Sequence, residues 1–362
     1  MISRREFLRR STLTALALAG GKLLAGCSPA PTDTQPPTAT SAPPEAPAAT
    51  AETSAAATAA PAATATSTSA EPITPTEPTA TAAAVQPTSS EPAYLAVVRG
   101  AALGPAELTR RAIAAVGGIE RFVKPGVDVI IKPNICNAYN GPEYASTTNP
   151  EVVAAIVTLC LGAGAKRVRV MDAPFGGTAQ NAYKTSGIAQ AVEAAGGQME
   201  LMNALKYEKV EIAGAQALKK TEIYGDILTA DVVINVPIAK HHSQARLTLG
   251  LKNLMGTVKD RGKLHAAGLA ESIADLATVV KPALTVIDAT RILVANGPTG
   301  GDLKDVRQMD TVIASADVVA ADAYAATLFG MTGADIGYIR LADALGLGKM
   351  DLTSIKIEEI SA

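Results

Sequence analysis

Basic, imidazole and amide side chains crowd one stretch of the chain, residues 231–258 (DVVINVPIAKHHSQARLTLGLKNLMGTV). The stretch opens with an aliphatic run typical of a buried strand, and we expect Pro237 to stop that strand. The polar residues that follow are Lys240, His241, His242, Lys252 and Asn253. Ligands of α/β proteins bind just beyond the carboxyl ends of strands, so the pattern predicts a functional site here.

The chemistry expected of this site is proton transfer and anion binding. An imidazole transfers protons near neutral pH, and a lysine ammonium pairs with an anionic group. The residues predicted to be catalytic are Lys240, His241 and His242. Adjacent side chains point in different directions on any regular backbone, so at most one of the two histidines is expected to face the site. The alternative, that both histidines are structural, stays open.

Three other predicted strands also end in polar residues, at Lys132-Pro133-Asn134, Asp172-Ala173-Pro174 and Asp288-Ala289-Thr290. In a parallel sheet such ends converge on one edge, where ligands bind. The residues predicted to bind a substrate or cofactor are therefore Lys132, Asn134, Asp172, Lys252, Asn253 and Asp288. The lysines would hold an anionic group, and the two aspartates a metal or a hydroxyl. An aspartate after a strand is equally often a turn or cap residue, and this alternative stays open.

The elements that carry these residues follow a regular order from residue 93 onward. Short aliphatic runs alternate with helical segments, one of which begins with the strong start signal Asn149-Pro150-Glu151. The alternation predicts an α/β fold with a mainly parallel sheet flanked by helices, a Rossmann-like layering. No Gly-x-Gly-x-x-Gly, Walker or Gly-x-Ser-x-Gly sequence is present, so the fold is expected without a dinucleotide fingerprint. Residues 247–258 fit either a helix or a strand.

Charge divides the chain into three parts. The whole chain has 32 Lys and Arg against 34 Asp and Glu. Residues 1–27 hold five of the bases and one acid, and residues 28–92 hold six acids and no base, which leaves 27 of each in residues 93–362. A neutral domain without a basic stripe lacks the electrostatic footprint of a nucleic-acid-binding protein. We therefore expect no nucleic-acid partner.

The first part, residues 1–27, reads as an export signal. Ser3-Arg4-Arg5-Glu6-Phe7-Leu8-Arg9 looks like a twin-arginine signature, and the apolar run after it is short for a membrane span. Leu24-Ala25-Gly26-Cys27 resembles the lipobox of bacterial lipoproteins. This resemblance implies lipidation of Cys27 and an anchor on the extracytoplasmic face of a bacterial membrane. An ordinary amphipathic or transmembrane helix is the alternative.

Residues 28–92 consist almost entirely of Ala, Thr, Pro and Ser. Such a segment buries too little apolar surface to offset its ordering entropy, so we expect a disordered linker that tethers an α/β domain of residues 93–362 to the membrane. Only Cys136 and Cys160 lie in that domain, too few to ligate an iron–sulfur cluster. They are able to pair outside the cytoplasm, but burial as free thiols is the expected state.

Several of these blocks together resemble an uncharacterised family, DUF362. The blocks are Lys132-Pro133-Asn134, Thr147-Thr148-Asn149-Pro150, Val233 to Pro237 with Lys240 and His241/His242, Thr248 to Gly256, and Asp322-Ala323-Tyr324. The resemblance covers roughly residues 94–345. Many members carry an added ferredoxin-like segment with clustered cysteines, which implies a redox context, but this chain lacks that segment.

Two functional hypotheses follow. The first is an exported enzyme, dependent on an unidentified cofactor or metal and linked to a redox partner, that acts on an anionic small molecule. The second is a surface-tethered lipoprotein that binds such a molecule without chemistry. Turnover that titrates with a histidine would favour the first, and saturable binding without turnover the second.

Overall fold

A computed structural model describes residues 94–362, so the predicted signal peptide, the lipobox with Cys27 and the predicted linker lie outside the described residues. The strands are β1 (Leu95–Arg99), β2 (Asp128–Pro133), β3 (Arg167–Val170), β4 (Gln198–Met199), β5 (Tyr207–Glu211), β6 (Lys220–Tyr224), β7 (Val232–Val236), β8 (Ile238–His242), β9 (Arg246–Thr248), β10 (Leu284–Leu293), β11 (Val306–Ser315) and β12 (Ile357–Ser361). The α-helices are α1 (Pro105–Ala115), α2 (Pro150–Gly162), α3 (Ala179–Thr185), α4 (Ile188–Ala194), α5 (Gly225–Thr229), α6 (Gly250–Asn253), α7 (Arg261–Ala267), α8 (Leu269–Val279), α9 (Val318–Thr327) and α10 (Gly337–Ala344). Of the helices in this part of the chain, none is long and apolar enough to cross a membrane.

One mixed sheet runs through the domain in the order β12-β1-β11-β10-β7-β2-β3-β4. The strands β10, β7, β2, β3 and β4 are parallel to one another, whereas β11 is antiparallel to both β1 and β10. The strands β5 and β6 form a separate antiparallel pair. The predicted α/β class, with a mostly parallel sheet flanked by helices, is confirmed.

Two apolar cores lie on opposite faces of this sheet. Successive side chains of a strand point to opposite faces, and in β1 Leu95 and Val97 belong to one core while Ala96 and Val98 belong to the other. Helices α1 and α2 cover the second core, and α8, α9 and α10 cover the first. A sheet covered on both faces needs strands with long apolar runs, such as residues 95–98 of β1.

The predicted start of α2 is confirmed. Asn149 is the N-cap, and its side chain accepts a hydrogen bond of 2.9 Å from the backbone N–H of Glu151. Pro150 occupies the first helical turn, where a missing N–H costs nothing. The ambiguous stretch 247–258 contains both element types, because the end of β9 is followed by α6 and by a 3-10 turn, Leu254–Thr257.

The prediction that Pro237 stops its strand is confirmed, because β7 ends at Val236. Two other expectations about strand ends are wrong. Lys240, His241 and His242 do not lie beyond a strand end, because a new strand, β8, begins after Pro237 and pairs with β10 and β9. Pro237 has no N–H for a ladder, but its carbonyl accepts a hydrogen bond of 2.8 Å from the backbone N–H of Asp288. Asp288 in turn lies within β10, which continues to Leu293.

Candidate functional site

The ends of β2 and β3 meet β8, β9 and α6 around a cleft of about 330 Å³. The predicted residues that line it are Lys132, Asn134, Asp172, Lys240, His242, Lys252 and Asn253. The other lining residues are Ile135, Cys136, Ala173, Phe175, Thr248, Met255, Gly256, Arg261, His265 and Pro298. The structure therefore brings together all the predicted site residues except His241 and Asp288, while their roles stay predictions.

The alternation of side chains along β8 separates the two adjacent histidines. Lys240 and His242 are two residues apart and line the cleft, whereas His241 points to the other side of the strand. The Nδ1 of His241 accepts a hydrogen bond of 3.1 Å from the backbone N–H of Gly297. His241 thus supports the loop at Gly297.

Asp288 is fully buried outside the cleft lining and holds the start of α2. Its carboxylate accepts hydrogen bonds from the backbone N–H of Asn149 at 2.7 Å and from the hydroxyl of Thr290 at 2.7 Å. Burial raises the pKa of Asp288, and these donors oppose the rise. Within residues 94–362, no three His, Cys, Asp or Glu side chains cluster as a metal site would need.

The floor of the cleft is a buried ion pair between Lys132 and Asp172. The Nζ of Lys132 lies 2.8 Å from Oδ1 of Asp172, and the side chains are 2% and 4% exposed. Asp172 also accepts a hydrogen bond of 2.7 Å from the backbone N–H of Ile135. Burial lowers the pKa of Lys132, and the charge of Asp172 opposes this. Gly256 lies against the pair, where a Cβ would stand 2.6 Å from Nζ of Lys132 and closer still to Asp172.

An amide network joins this pair to Lys240. The Oδ1 of Asn253 accepts from Nζ of Lys132 at 3.2 Å and from Nδ2 of Asn134 at 2.9 Å. The Nδ2 of Asn253 donates to Oδ1 of Asn235 at 2.9 Å, and Oδ1 of Asn134 accepts from Nζ of Lys240 at 3.0 Å. The amide of Asn253 is thus engaged at both ends and positions its neighbours.

Lys240 and Arg261 bring positive charge that no carboxylate offsets. Besides Asn134, Lys240 donates to the carbonyls of Ser146 at 2.5 Å and Pro298 at 3.1 Å. Arg261 donates to the carbonyls of Ala173 at 2.6 Å and Pro174 at 3.1 Å. Within the described part of the chain, neither cation has an acidic partner within ion-pair distance. The cleft therefore carries a net positive charge.

Lys252 lies on α6 with its side chain in the same cleft. It is 9% exposed, and its amine has no hydrogen-bond partner among residues 94–362. Burial, the charge of Lys240 and then that of Arg261 lower the pKa of Lys252 to about 7, against an opposing interaction with Cys136. A substantial fraction of this amine is therefore neutral at neutral pH.

His242 is held as a neutral hydrogen-bond donor. Its Nδ1 accepts hydrogen bonds of 3.2 Å from the backbone N–H groups of Gln244 and Ala245, which leaves the ring proton on Nε2. Burial, followed by the charges of Lys252 and Lys240, lowers the pKa of His242 to about 3. Such a ring donates through Nε2 at neutral pH, and a base of this strength is a poor proton carrier there.

Of the ten lining residues that were not predicted from the sequence, Thr248, Arg261 and His265 carry a hydroxyl, a guanidinium and an imidazole. Thr248 stands opposite Lys240 in the β8–β9 ladder, and its buried hydroxyl has no hydrogen-bond partner in the described structure. The ring of His265 stacks on His242 with centroids 6.4 Å apart. The chain contains three histidines, so the third, four residues beyond Arg261, was a signal that could have drawn attention to α7.

Both cysteines of the domain are buried free thiols. The Sγ of Cys136 lies 3.3 Å from the carbonyl oxygen of Pro298, at the wall of the cleft. Cys160 lies on α2 within the apolar core, and burial raises its pKa to about 12. A thiol with so high a pKa is unreactive.

Comparison with known sequences places the domain in a family. The profile of the domain of unknown function DUF362 matches residues 129–327. A thylakoid-associated protein of Synechocystis sp. is 31% identical over 252 residues, which cover 66% of this chain and 74% of that protein. The chain belongs to the DUF362 family.

Two solved structures overlap the fold in part. The lactate racemase apoprotein from Thermoanaerobacterium thermosaccharolyticum is 14% identical with a TM-score of 0.39, over 61% of this chain and 54% of that one. A structural-genomics protein from Thermotoga maritima is 13% identical with a TM-score of 0.44, over 64% and 60%. The chain thus spans little more than half the length of either protein, and overlaps of this extent relate neither their sites nor their activities.

Proposed function

We propose that the cleft binds a small organic anion and is the active site of an enzyme. The observation that carries this proposal is the pair of cations, Lys240 and Arg261, that face one cleft without an acidic partner in the described structure. Lys240 is buried, and burying a charge without a counter-charge is costly, so an anionic ligand would supply the missing counter-charge.

The two cations have different parts in this proposal. Lys240 donates its three N–H groups to Asn134, Ser146 and Pro298, so none is left for a ligand and it attracts an anion by charge alone. Arg261 uses two of its five donors on carbonyls, and the others are able to contact a carboxylate or phosphate directly.

The size and walls of the cleft favour a small organic molecule. A volume of about 330 Å³ is at the lower end of small-molecule sites. Part of the cleft wall is apolar and consists of Ile135, Met255 and the half-exposed Phe175. A bare inorganic ion would not need such apolar contacts.

Lys252 favours an enzyme over a binding protein. A site that only binds an anion gains from a fully charged lysine, whereas burial and two neighbouring cations hold part of the Lys252 amine neutral. A neutral amine has a lone pair able to act as a base or a nucleophile.

Arg261→Gln tests the anion site. Losing a charge-assisted hydrogen bond costs about 1.5–3 kcal/mol, so we expect anion binding to weaken by roughly ten- to a hundredfold. The measurement is isothermal titration calorimetry of the full chain with pyruvate, lactate, malonate and inorganic phosphate. Lys259→Gln is the matched control, because Lys259 lies two residues away and pairs with Glu222 at the surface. Equal affinity in both variants, or no binding of any of these anions to the unaltered chain, would contradict the proposal.

We also propose that the protein is exported and lipid-anchored. The support is the Arg4-Arg5 pair followed by an apolar run and by Cys27 in a lipobox-like setting. In a bacterial host that expresses the full chain and is fed an alkyne fatty acid, we expect label on the protein in the membrane fraction. Cys27→Ser should lose the label, and Arg4→Lys/Arg5→Lys should leave the protein in the cytoplasm. Labelling of the Cys27→Ser variant would show that Cys27 is not the acylation site.

A further inference from the structure

We propose that Lys252 is a carbonyl-reactive amine that forms an imine with a small carboxylate bearing a ketone, of the 2-oxo acid class. This inference rests on the proposed function, since Lys240 and Arg261 are what would hold the carboxylate beside Lys252. It adds the type of bond formed and the reactive atom, Nζ of Lys252.

Lys252 is the one lysine of the cleft whose amine forms no hydrogen bond in the described structure. Lys132 is tied to Asp172 at 2.8 Å, and Lys240 gives all three N–H groups to neutral acceptors. The amine of Lys252 forms neither a hydrogen bond nor an ion pair within residues 94–362, although Lys252 is only 9% exposed. Because Lys252 lines the cleft and its amine has no hydrogen-bond partner in the described structure, an electrophile that enters the cleft is able to reach the amine.

The short helix α6 that carries Lys252 is fixed from both sides. The carboxyl of Asp322 accepts hydrogen bonds from the backbone N–H groups of Gly250 at 2.6 Å and Leu251 at 2.8 Å. The amide of Asn235 donates to the carbonyl of Gly250 at 2.9 Å. A nucleophile must be held in the right place to gain from proximity, and these contacts fix the backbone from which Lys252 extends.

The electrostatic setting keeps the amine nucleophilic. Desolvation together with nearby cations is the arrangement that activates a lysine for attack on a carbonyl. Burial, Lys240 and Arg261 have this effect on Lys252 and bring its pKa to about 7. The neutral amine is therefore present at neutral pH without a dedicated base.

Donors for the rest of the substrate line the same cleft. The Thr248 hydroxyl is buried and unpartnered, and Nε2–H of His242 is free of the contacts that occupy Nδ1. Two such donors are able to polarise a ketone oxygen and stabilise the charge that develops on it.

The bond changes balance within the site. The lone pair on Nζ of Lys252 attacks the ketone carbon, a C–N bond forms, and the C=O π electrons move to oxygen, which takes the first of the two amine protons. The second amine proton then leaves nitrogen for the same oxygen, the C–O bond breaks with loss of water, and a C=N bond forms. The net reaction is amine plus ketone to imine plus water, with no oxidant or reductant.

Reductive trapping tests the inference. The full chain is incubated with pyruvate or 2-oxoglutarate and sodium cyanoborohydride, and the modified lysine is located by peptide mass spectrometry. We expect one dominant adduct, on Lys252, in at least tenfold excess over the surface residue Lys259, and no dominant adduct with acetone, which lacks the carboxylate. Trapping spread equally over Lys252 and Lys259 would overturn the inference.

A charge-preserving variant separates this inference from the anion site. Lys252→Arg places a cationic side chain without a nucleophilic amine at this position, so it should still bind pyruvate in calorimetry but form no adduct. If the unaltered chain binds pyruvate or 2-oxoglutarate and neither is trapped on Lys252, the imine is wrong and anion binding stands. If no anion of either panel binds, both proposals fall.

Discussion

Replacing Asp172 with alanine is expected to lower the free energy of unfolding by about 3–5 kcal/mol, because it removes the only charged partner of a buried lysine in the described structure. The other acceptors of Lys132 are neutral, the carbonyl of Pro133 at 3.0 Å and Oδ1 of Asn253 at 3.2 Å. They satisfy hydrogen bonds but do not replace the counter-charge. The backbone N–H of Ile135 would also lose its acceptor.

Urea unfolding of the full chain near neutral pH, followed by circular dichroism, measures this effect. Asp260→Ala is the matched control, since Asp260 pairs with Lys263 at the surface and should change stability by no more than about 0.5 kcal/mol. Lys132→Met together with Asp172→Ala removes both charges and should recover part of the loss. An Asp172→Ala variant as stable as the control would show that the pair does not stabilise the cleft.

The second substitution expected to lower the free energy of unfolding strongly is Asp322→Ala. It leaves the backbone N–H groups of Gly250 and Leu251 buried without acceptors, at about 1–3 kcal/mol for each. Because these groups begin the helix that carries Lys252, we expect trapping at Lys252 to fall along with stability. Asp351→Ala, which removes an exposed N-cap from a 3-10 turn, is the control for a lost cap away from the cleft.

Asp322 also predicts a pH dependence with a definite sign. Burial raises the pKa of Asp322 to about 8, above the value near 3.9 expected in the unfolded chain. Between those values the folded state binds more protons than the unfolded state, so this residue's contribution is full below about pH 4 and is lost as the pH rises through about 8. Urea unfolding at about pH 5 and about pH 9 should show the loss, and Asp322→Asn should reduce the difference. An identical difference in Asp322→Asn would refute the assignment.

The sequence predicted most of the sheet and the location of the cleft for physical reasons that are local. A short aliphatic run such as the one in β7 predicts a buried strand from its own residues. Likewise, Asn149-Pro150 predicts the start of a helix without information from distant residues. Lys132 lies near the carboxyl end of β2 and Asp172 just after β3, and they come together because these strands are parallel neighbours in the sheet. The positions of residues at strand ends are predicted correctly where the strands pair in a regular parallel ladder.

The errors and omissions arise from contacts that are distant in sequence. Lys240 lies within a strand because β10 supplies a new partner for the chain after Pro237, which no local pattern near Pro237 shows. Arg261 and His265 line the cleft from α7. In the sequence, they belong to a polar segment that is typical of a protein surface. The lack of a hydrogen-bond partner for Lys252 in the described structure likewise depends on the three-dimensional fold, which the local sequence does not show.

The position of β1 between β11 and β12 has a consequence for how the domain is made. Leu95 pairs with Ser315 on one side and with Ile357 on the other, so both neighbours of the first strand lie near the other end of the domain. On a translating ribosome, β1 emerges early and has no ladder to join until nearly all of the domain has been synthesised. Pairings this distant in sequence also close slowly. The nascent chain must therefore keep an apolar strand unpaired throughout synthesis, a period in which a chaperone is able to hold it.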